Sequence, residues 1–296
     1  MSSNASHIEG HAAVPGGVLH YRLAGPPSAE PVLVFENGWS GSFPYASWLE
    51  QALAPRYRIL FYDRAGIADS RSTAAPSTAG LTQQLVALIA GLGIRQPVVV
   101  VGHSYGGLIG ALHAAQAPGL VKAIVQVDPT PEFPDEFIDP SLKLVPRLAR
   151  ILQLLTLLRV DDPVIAQAAR ELPPDVVARL RRRPLAAVRS LNGAIAEIHL
   201  LQEIRRVIAA SEAARQCPRL VISAAPLQQG KNWLRTLLGK DRQEQAHTAA
   251  AHALHRRHAA QNDASRWTSL PYGHVGLVTN RSGADEVAAE IVRFLS

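Results

Sequence analysis

A serine lies in the glycine-flanked motif Gly102-His103-Ser104-Tyr105-Gly106, between two apolar stretches. Residues 98–101 are all valine, which favours a strand buried on both faces of a parallel sheet. Residues 108–115 have the composition of a packed helix. A G-x-S-x-G motif at a sharp turn from strand to helix is typical of a nucleophile elbow, in which a strained backbone exposes the serine hydroxyl. The spacing therefore predicts that Ser104 is a nucleophile.

An attacking serine needs hydrogen-bond donors for the negative oxygen that forms on its substrate, and backbone amides at two places could supply them. The amide of Tyr105 stands at the predicted helix start, where the helix dipole favours negative charge. Residues 36–42, here called the glycine loop, follow an apolar strand predicted at 32–35. Sheets of α/β proteins place their ligands at the carboxyl ends of strands. We therefore favour a second donor in the glycine loop over a mere connecting turn.

Length and composition indicate one globular α/β protein. The chain has 296 residues, of which 47% are apolar, so it can bury a full core. The single cysteine, Cys217, allows no intramolecular disulfide, fits a reducing compartment and is interpreted as structural. The first residues lack the basic and apolar regions of a signal peptide. These features predict a cytoplasmic protein.

The formal charge of +6 raises the question of nucleic acid binding. The arginines are spread along predicted helices, with one run at 181–183, and no aromatic residues interleave with them as a stacking surface requires. Solvated helix faces and no nucleic acid partner are therefore expected. The most apolar segment, 142–160, is interrupted by Pro146 and by arginines, which argues against stable membrane insertion. Contact of that segment with a lipid surface is a weaker alternative.

Strand patterns alternate with helical ones along most of the chain. Strands are predicted at 18–23 (as an edge strand), 32–35, 58–62, 98–101, 122–127, 219–223 and 267–270, and helices at 48–53, 81–92, 108–115 and 284–295. Between the fifth and sixth strands only helical runs occur, at 142–160, 163–171, 174–182 and 185–210. We predict an α/β fold with a mostly parallel central sheet flanked by helices. Residues 1–128 and 217–296 would form its core domain, and 129–216 an inserted helical cap.

Taken in order, four features resemble the α/β-hydrolase superfamily over most of the chain outside the predicted cap. They are the motif around Ser104, the strand 32–35 with its glycine loop, the segment 62–70 that contains Asp63-Arg64-Ala65-Gly66, and Gly273-His274. The resemblance implies a serine nucleophile, a histidine base late in the chain, a cap over the pocket, and no cofactor or metal. It also implies that the amide of Trp39 is the second oxyanion donor. Asp63 and Arg64 themselves are assigned to structure rather than catalysis.

The acid of the implied catalytic triad has two candidates. Many relatives place it shortly after the strand that is predicted here at 219–223, but this chain has no carboxylate there before Asp241. Some relatives take it from the end of the preceding sheet strand, a position that Asp128 occupies. Asp128 also keeps the serine–acid–histidine order. Asp128 is the first choice and Asp241 the second, while an Asp-Pro turn at 128–129 is the competing interpretation of Asp128.

The base is sought among eleven histidines. His274 alone follows the last predicted strand, on a glycine loop before the final helix, and is predicted to be the base. A group of histidines on an alanine- and arginine-rich helical stretch is expected to face solvent; its members are His247, His252, His255 and His258. No cysteine or clustered carboxylate accompanies them, so a metal site is not predicted.

These residues together predict a serine hydrolase that cleaves a small, apolar ester, thioester, lactone or amide through an acyl-enzyme on Ser104. One alternative is a cofactor-free perhydrolase or haloperoxidase, or a lyase, using the same triad. Another is a ligand-binding protein of the same fold without catalysis. The expected partner is a small-molecule substrate, and the sequence leaves the oligomeric state open, a homodimer included.

Overall fold

The computed structural model describes residues 7–132, 170–181, 184–225 and 240–296, apart from the side chains of 184–185 and 240–247. The predicted helix at 142–160, and nearly all of the one at 163–171, lie outside these residues. In the described ranges no helix is long and apolar enough to span a membrane.

Strands and helices alternate as the sequence predicts. The described strands are β1 (Ile8–Val14), β2 (Gly17–Ala24), β3 (Leu33–Glu36), β4 (Ile59–Tyr62), β5 (Arg71–Ser72), β6 (Val98–His103), β7 (Val121–Val127), β8 (Arg219–Ala224) and β9 (Arg266–Leu270). The described helices are α1 (Ser47–Leu53), α2 (Thr78–Gly91), α3 (Tyr105–Gln116), α4 (Pro174–Arg181), α5 (Pro184–Ile198), α6 (Leu201–Ala210), α7 (Glu212–Gln216), α8 (Lys240–Ala259), α9 (Gly276–Thr279) and α10 (Arg281–Leu295).

The described strands form one sheet in the order β1-β2-β4-β3-β6-β7-β8-β9, with β5 paired to β2. Neighbours from β4 to β9 are parallel, whereas β1, β2 and β5 pair antiparallel. The predicted, mostly parallel central sheet flanked by helices is therefore confirmed. The prediction that 18–23 is an edge strand is wrong, because β1 covers it. The sequence did not reveal β1, since an edge strand with largely exposed side chains carries a weak apolar pattern.

The valine run of β6 is buried on both faces of the sheet. Val99 and Val101 belong to one core cluster, with α1 and α10, while Val98 and Val100 belong to the other, with α2 and α3. A continuous apolar strand is what a parallel sheet covered on both sides requires. This rigid central strand carries Ser104 at its carboxyl end.

The helices between β7 and β8 divide into two kinds. Helices α6 and α7 pack on α3 and share its core cluster, whereas α5 lies against loops at the carboxyl ends of the strands, with Ala194 buried beside Ile67. The prediction of one continuous helix at 185–210 is therefore wrong, since His199 and Leu200 separate α5 from α6. The physical reason is that the two halves face different neighbours. The predicted cap boundaries, 129–216, stay a prediction.

Candidate active site

Ser104 lies in the sharp turn between β6 and α3, where the sequence predicts it. Its backbone has φ 55° and ψ −120°, a conformation that is strained for a residue with a Cβ. The surrounding backbone holds it there, because the amide of Ser104 donates to Val127 O (2.9 Å) and its carbonyl accepts from the amides of Gly107 and Thr130 (both 3.0 Å). The Ser104 side chain is only partly buried, so a substrate can reach its hydroxyl.

Both glycines of the motif are needed because helix, strand and glycine loop approach one another too closely for a side chain. A methyl group built on Gly102 would lie 2.2 Å from the carbonyl oxygen of Gly106. One built on Gly106 would lie 2.1 Å from the carbonyl oxygen of Glu36. Since these contacts are with backbone atoms, they cannot be relieved by turning a side chain.

We expect Gly106→Ala to destabilise the protein by at least about 3 kcal/mol, because the helix start must move away from the glycine loop. Urea unfolding measures this change. Gly119→Ala is the matched control, since nothing lies within 4 Å of a methyl group built there, and its effect should stay below about 0.5 kcal/mol. Equal stabilities of the two variants would contradict the packing argument.

His274 and Asp128 meet beside the elbow. Nδ1 of His274 lies 2.6 Å from Oδ2 of Asp128, with 45% of the His274 side chain and 17% of the Asp128 side chain exposed. Since an ionised carboxylate only accepts hydrogen bonds, the neutral form of this imidazole carries its proton on Nδ1 and has Nε2 as the acceptor. Within the described residues no hydrogen bond joins His274 to the Ser104 hydroxyl; such contacts often form only when substrate is bound.

Asp128 is held in place by the strand next to its own. It follows β7 with φ 45°, its amide donates to Ile222 O (2.6 Å), and its Oδ1 accepts from the amide of Ala224 (3.0 Å). Burial alone would raise the pKa of Asp128, but the hydrogen bond and the charge of His274 outweigh it and lower that pKa to about 2. The second candidate, Asp241, stands in the first turn of α8, and its side chain lies outside the described residues.

The low pKa of Asp128 predicts a pH-dependent contribution to stability. Because the folded pKa (about 2) lies below the ordinary 3.8, ionised Asp128 stabilises the fold by about 2 kcal/mol near neutral pH, and this is lost as pH falls from about 4 towards 2. The difference in unfolding free energy between wild type and Asp128→Asn should shrink by about 1 kcal/mol between pH 5.5 and pH 3. Urea titrations at both pH values measure it. A constant difference would contradict the ion pair.

His103 supports the backbone of His274. Its Nε2 lies 2.9 Å from the carbonyl oxygen of His274, and the two rings are tilted by 36° with their centroids 4.6 Å apart. Burial, reinforced by the neighbouring His274, lowers the pKa of His103 to about 3, so its ring is neutral. The carbonyl acceptor requires the proton on Nε2. His103 thus acts as a fixed donor that orients the loop of His274.

The expectation that the histidines of α8 face solvent is wrong for His255 and His258, which are 2% and 0% exposed. The reason is that α8 packs on β8, and histidines three residues apart share one helix face. Nδ1 of His255 lies 2.8 Å from the Ser223 hydroxyl, and its Nε2 lies 3.0 Å from the carbonyl oxygen of Pro129, next to Asp128. The regular spacing was the signal that could have revealed this buried face. The side chain of His247 lies outside the described residues.

The glycine loop is bound by one buried arginine. Nη1 of Arg64 donates to Asn37 O (2.7 Å) and Nη2 to Gly38 O (3.2 Å). The other contacts of Arg64 are to carboxylates: Nε and Nη2 donate to Glu197 (2.6 and 3.0 Å), and Nη1 approaches Glu36 (3.4 Å). All five N–H groups of this guanidinium thus have acceptors. Sequence reasoning assigned Arg64 to structure, and missed its contacts with this loop.

The two predicted oxyanion donors belong to segments that adjoin Ser104. Tyr105 begins α3, so its amide belongs to the unpaired N–H groups of a helix start. Trp39 lies in the glycine loop, and its indole Nε1 donates to Ala194 O of α5 (2.7 Å). A methyl group built on Gly38 would lie 3.5 Å from Ser104 Cβ, so this loop runs beside the nucleophile. The structure therefore brings Ser104, both donor segments, His274 and Asp128 together.

The described residues contain no group of three side chains that could hold a metal ion. Cys217 is buried, and burial raises the pKa of its thiol to about 11, which keeps it protonated and unreactive.

Comparisons with known proteins identify the family of this chain. The alpha/beta hydrolase fold family matches residues 31–271, more than half of the chain. The sn-1-specific diacylglycerol lipase ABHD11 of Mus musculus is 35% identical over 115 residues, which are 38% of this chain and 37% of that protein. The chain spans less than half of the length of the first curated relatives it matches.

Solved structures show the same fold along nearly the whole chain. The enol-lactonase from Burkholderia xenovorans LB400 has a TM-score of 0.64 at 21% identity and covers 97% of this chain and 99% of its own. A thermophilic esterase from Thermogutta terrifontis has a TM-score of 0.63 at 16% identity and covers 98% of each chain. The family match and the strand–serine–helix turn agree, and this chain belongs to the α/β hydrolase family.

Proposed function

We propose that this protein is a serine hydrolase that cleaves a small carboxylic ester or a related acyl compound through an acyl-enzyme on Ser104. The observation that carries the proposal is the 2.6 Å hydrogen bond between His274 Nδ1 and Asp128 Oδ2, formed beside a strained and accessible serine. In the neutral imidazole this bond places the proton on Nδ1, so that Nε2 can accept a proton as a general base does.

In the proposed reaction His274 Nε2 takes the hydroxyl proton of Ser104 while Oγ attacks the acyl carbon. The amides of Tyr105 and Trp39 would donate to the oxyanion, and Asp128 would support the imidazolium. His274 then passes its proton to the leaving alcohol as the carbon–oxygen bond breaks. Water, deprotonated by the same imidazole, releases the acyl group and regenerates the serine.

The substrate class follows from the chemistry of the site and from its relatives. A hydroxyl nucleophile with backbone oxyanion donors suits esters, thioesters, lactones and activated amides. The curated relative named above is a diacylglycerol lipase, which agrees with an ester as substrate. An apolar acyl or alcohol group is proposed because the leucine-rich segment 142–160 is predicted to form the cap.

The test combines turnover with covalent labelling of the wild-type protein. A short-chain p-nitrophenyl ester should be hydrolysed, and a fluorophosphonate probe should label Ser104, identified by mass spectrometry of the tryptic peptide. Labelling requires both an activated hydroxyl and an oxyanion hole, and it does not depend on the natural substrate. Absence of both signals would refute the proposal and favour a ligand-binding protein of the same fold.

A further inference from the structure

We propose that Glu197, on the helix α5 that lies over the strand ends, is a positioning residue of the oxyanion hole and acts through Arg64. The inference rests on the proposed function, because an oxyanion forms only if Ser104 attacks an acyl carbon. It assigns a role in the reaction to a carboxylate distant in sequence from the catalytic motifs and to the arginine it holds.

The geometry of the peptide bond gives the first step. In a trans peptide unit the carbonyl of one residue and the N–H of the next point in opposite directions. The carbonyls of Asn37 and Gly38 both accept hydrogen bonds from Arg64. The N–H groups of Gly38 and Trp39 must therefore point away from Arg64. Together with a bond from the amide of Gly41 to Gly38 O (3.1 Å), the two hydrogen bonds from this guanidinium thus orient the amides of Gly38 and Trp39.

The second step is that the glycine loop lies next to Ser104. A methyl group built on Gly38 would lie 3.5 Å from Cβ of Ser104 and 3.2 Å from Nδ1 of His103. A shift of the peptide planes in this loop would therefore change the donors next to Ser104. Within the same loop, Ser40 has φ 55°, a conformation that is strained for a residue with a Cβ.

Glu197 fixes the direction of the guanidinium, which is the third step. Its two oxygens accept from Nε and Nη2 of Arg64 at 2.6 and 3.0 Å, a two-point contact that sets the plane of the group. Both side chains are only 2% exposed, so water cannot replace this contact. Glu36 is the other carboxylate on Arg64, but its contact is longer, at 3.4 Å. The orientation of Arg64 thus depends on Glu197.

Further contacts tie the same end of α5 to the site. Trp39 Nε1 donates to Ala194 O (2.7 Å), and the Tyr105 hydroxyl donates to Glu197 O (3.3 Å). Earlier in α5, the Ser190 hydroxyl accepts from the amide of Ala68 (2.8 Å), a contact that docks the helix without reaching the glycine loop. In α5, the contact of Glu197 with Arg64 therefore reaches the oxyanion donors, whereas the contact of Ser190 with Ala68 does not.

The experiment compares Glu197→Gln with the control Ser190→Ala on a p-nitrophenyl ester and on its thionoester, in which sulfur replaces the carbonyl oxygen. Sulfur is larger and accepts hydrogen bonds more weakly. The ratio of kcat/KM for the oxygen ester to kcat/KM for the thionoester therefore reports how well the oxyanion hole fits an oxygen anion. We expect Glu197→Gln to lower kcat on the oxygen ester by on the order of 10- to 10²-fold with little change in KM, and to reduce the ratio. Ser190→Ala should change neither by more than about threefold.

The outcomes separate the inference from the proposed function. If Glu197→Gln lowers turnover of both esters equally, or if Ser190→Ala has the same effect, Glu197 only docks the helix and the inference is overturned. If the wild type is neither active nor labelled by fluorophosphonate, the proposed function and the inference fail together. Should Glu197→Gln not fold, as judged by circular dichroism, Glu197→Asp takes its place. That variant keeps the charge but shortens the side chain, which breaks the two-point contact with Nε and Nη2 of Arg64, and it should reduce the ratio in the same direction.

Discussion

Ser104→Ala is expected to lower kcat for ester hydrolysis by on the order of 10⁶-fold and to leave the fold intact. The change removes only Oγ, while the bonds that hold the elbow are made by the backbone amide and carbonyl of Ser104. Alanine also keeps the same strained φ of 55° under the same restraints. Initial rates with a p-nitrophenyl ester measure the loss, and thermal unfolding checks the fold.

The control for this variant is Ser104→Cys, which restores a nucleophilic side chain of similar size at the same place. It should form a detectable acyl adduct with the p-nitrophenyl ester, whereas Ser104→Ala should form none. Fluorophosphonate labelling should disappear in Ser104→Ala. Labelling or turnover that survives in Ser104→Ala would mean that another hydroxyl is the nucleophile, and the assignment of Ser104 would be wrong.

The sequence predicts the centre of this fold well because the centre is the most regular part. Each parallel strand is a short apolar run that ends at a polar or glycine-rich turn, and β6 with four consecutive valines is the clearest case. The edge is harder to predict. Strand β1 is mostly exposed, so burial imposes no pattern on its side chains, and only pairing with β2 defines it.

The candidate site divides in the same way. Ser104 and His274 lie in local motifs, and Asp128 lies at a strand end, where the resemblance to the α/β-hydrolase superfamily implies that the acid can stand. Contacts between residues far apart in the sequence leave no such signal. Glu197 is 133 positions from Arg64, and neither residue lies in a motif that predicts their ion pair. The buried His255 was missed for another reason, since histidine on an alanine-rich helix is compatible with both solvent and core. The packing of α8 on β8 places His255 in the core.

Asp128→Asn is expected to lower kcat by on the order of 10⁴-fold. In the wild type the carboxylate accepts the Nδ1 proton of His274 at 2.6 Å and leaves Nε2 free to take the serine proton. An asparagine amide can instead donate to Nδ1, which moves the ring proton to Nε2 and removes the base. KM should change far less than kcat, because the loss concerns proton transfer. The pH dependence of kcat/KM, measured from pH 5 to 9, tests this.

Asp241→Asn separates the two candidate acids. The backbone of Asp241 stands in the first turn of α8, whereas Asp128 already has His274 on one carboxylate oxygen and the amide of Ala224 on the other. Asp241→Asn should therefore stay within about threefold of wild type. If it loses activity as steeply as expected for Asp128→Asn, while Asp128→Asn remains active, then Asp241 orients the base during turnover. Asp128 would in that case only begin an Asp-Pro turn, which is the competing interpretation of this residue. A steep loss in Asp128→Asn alone would leave the hydrogen bond to His274 as the explanation.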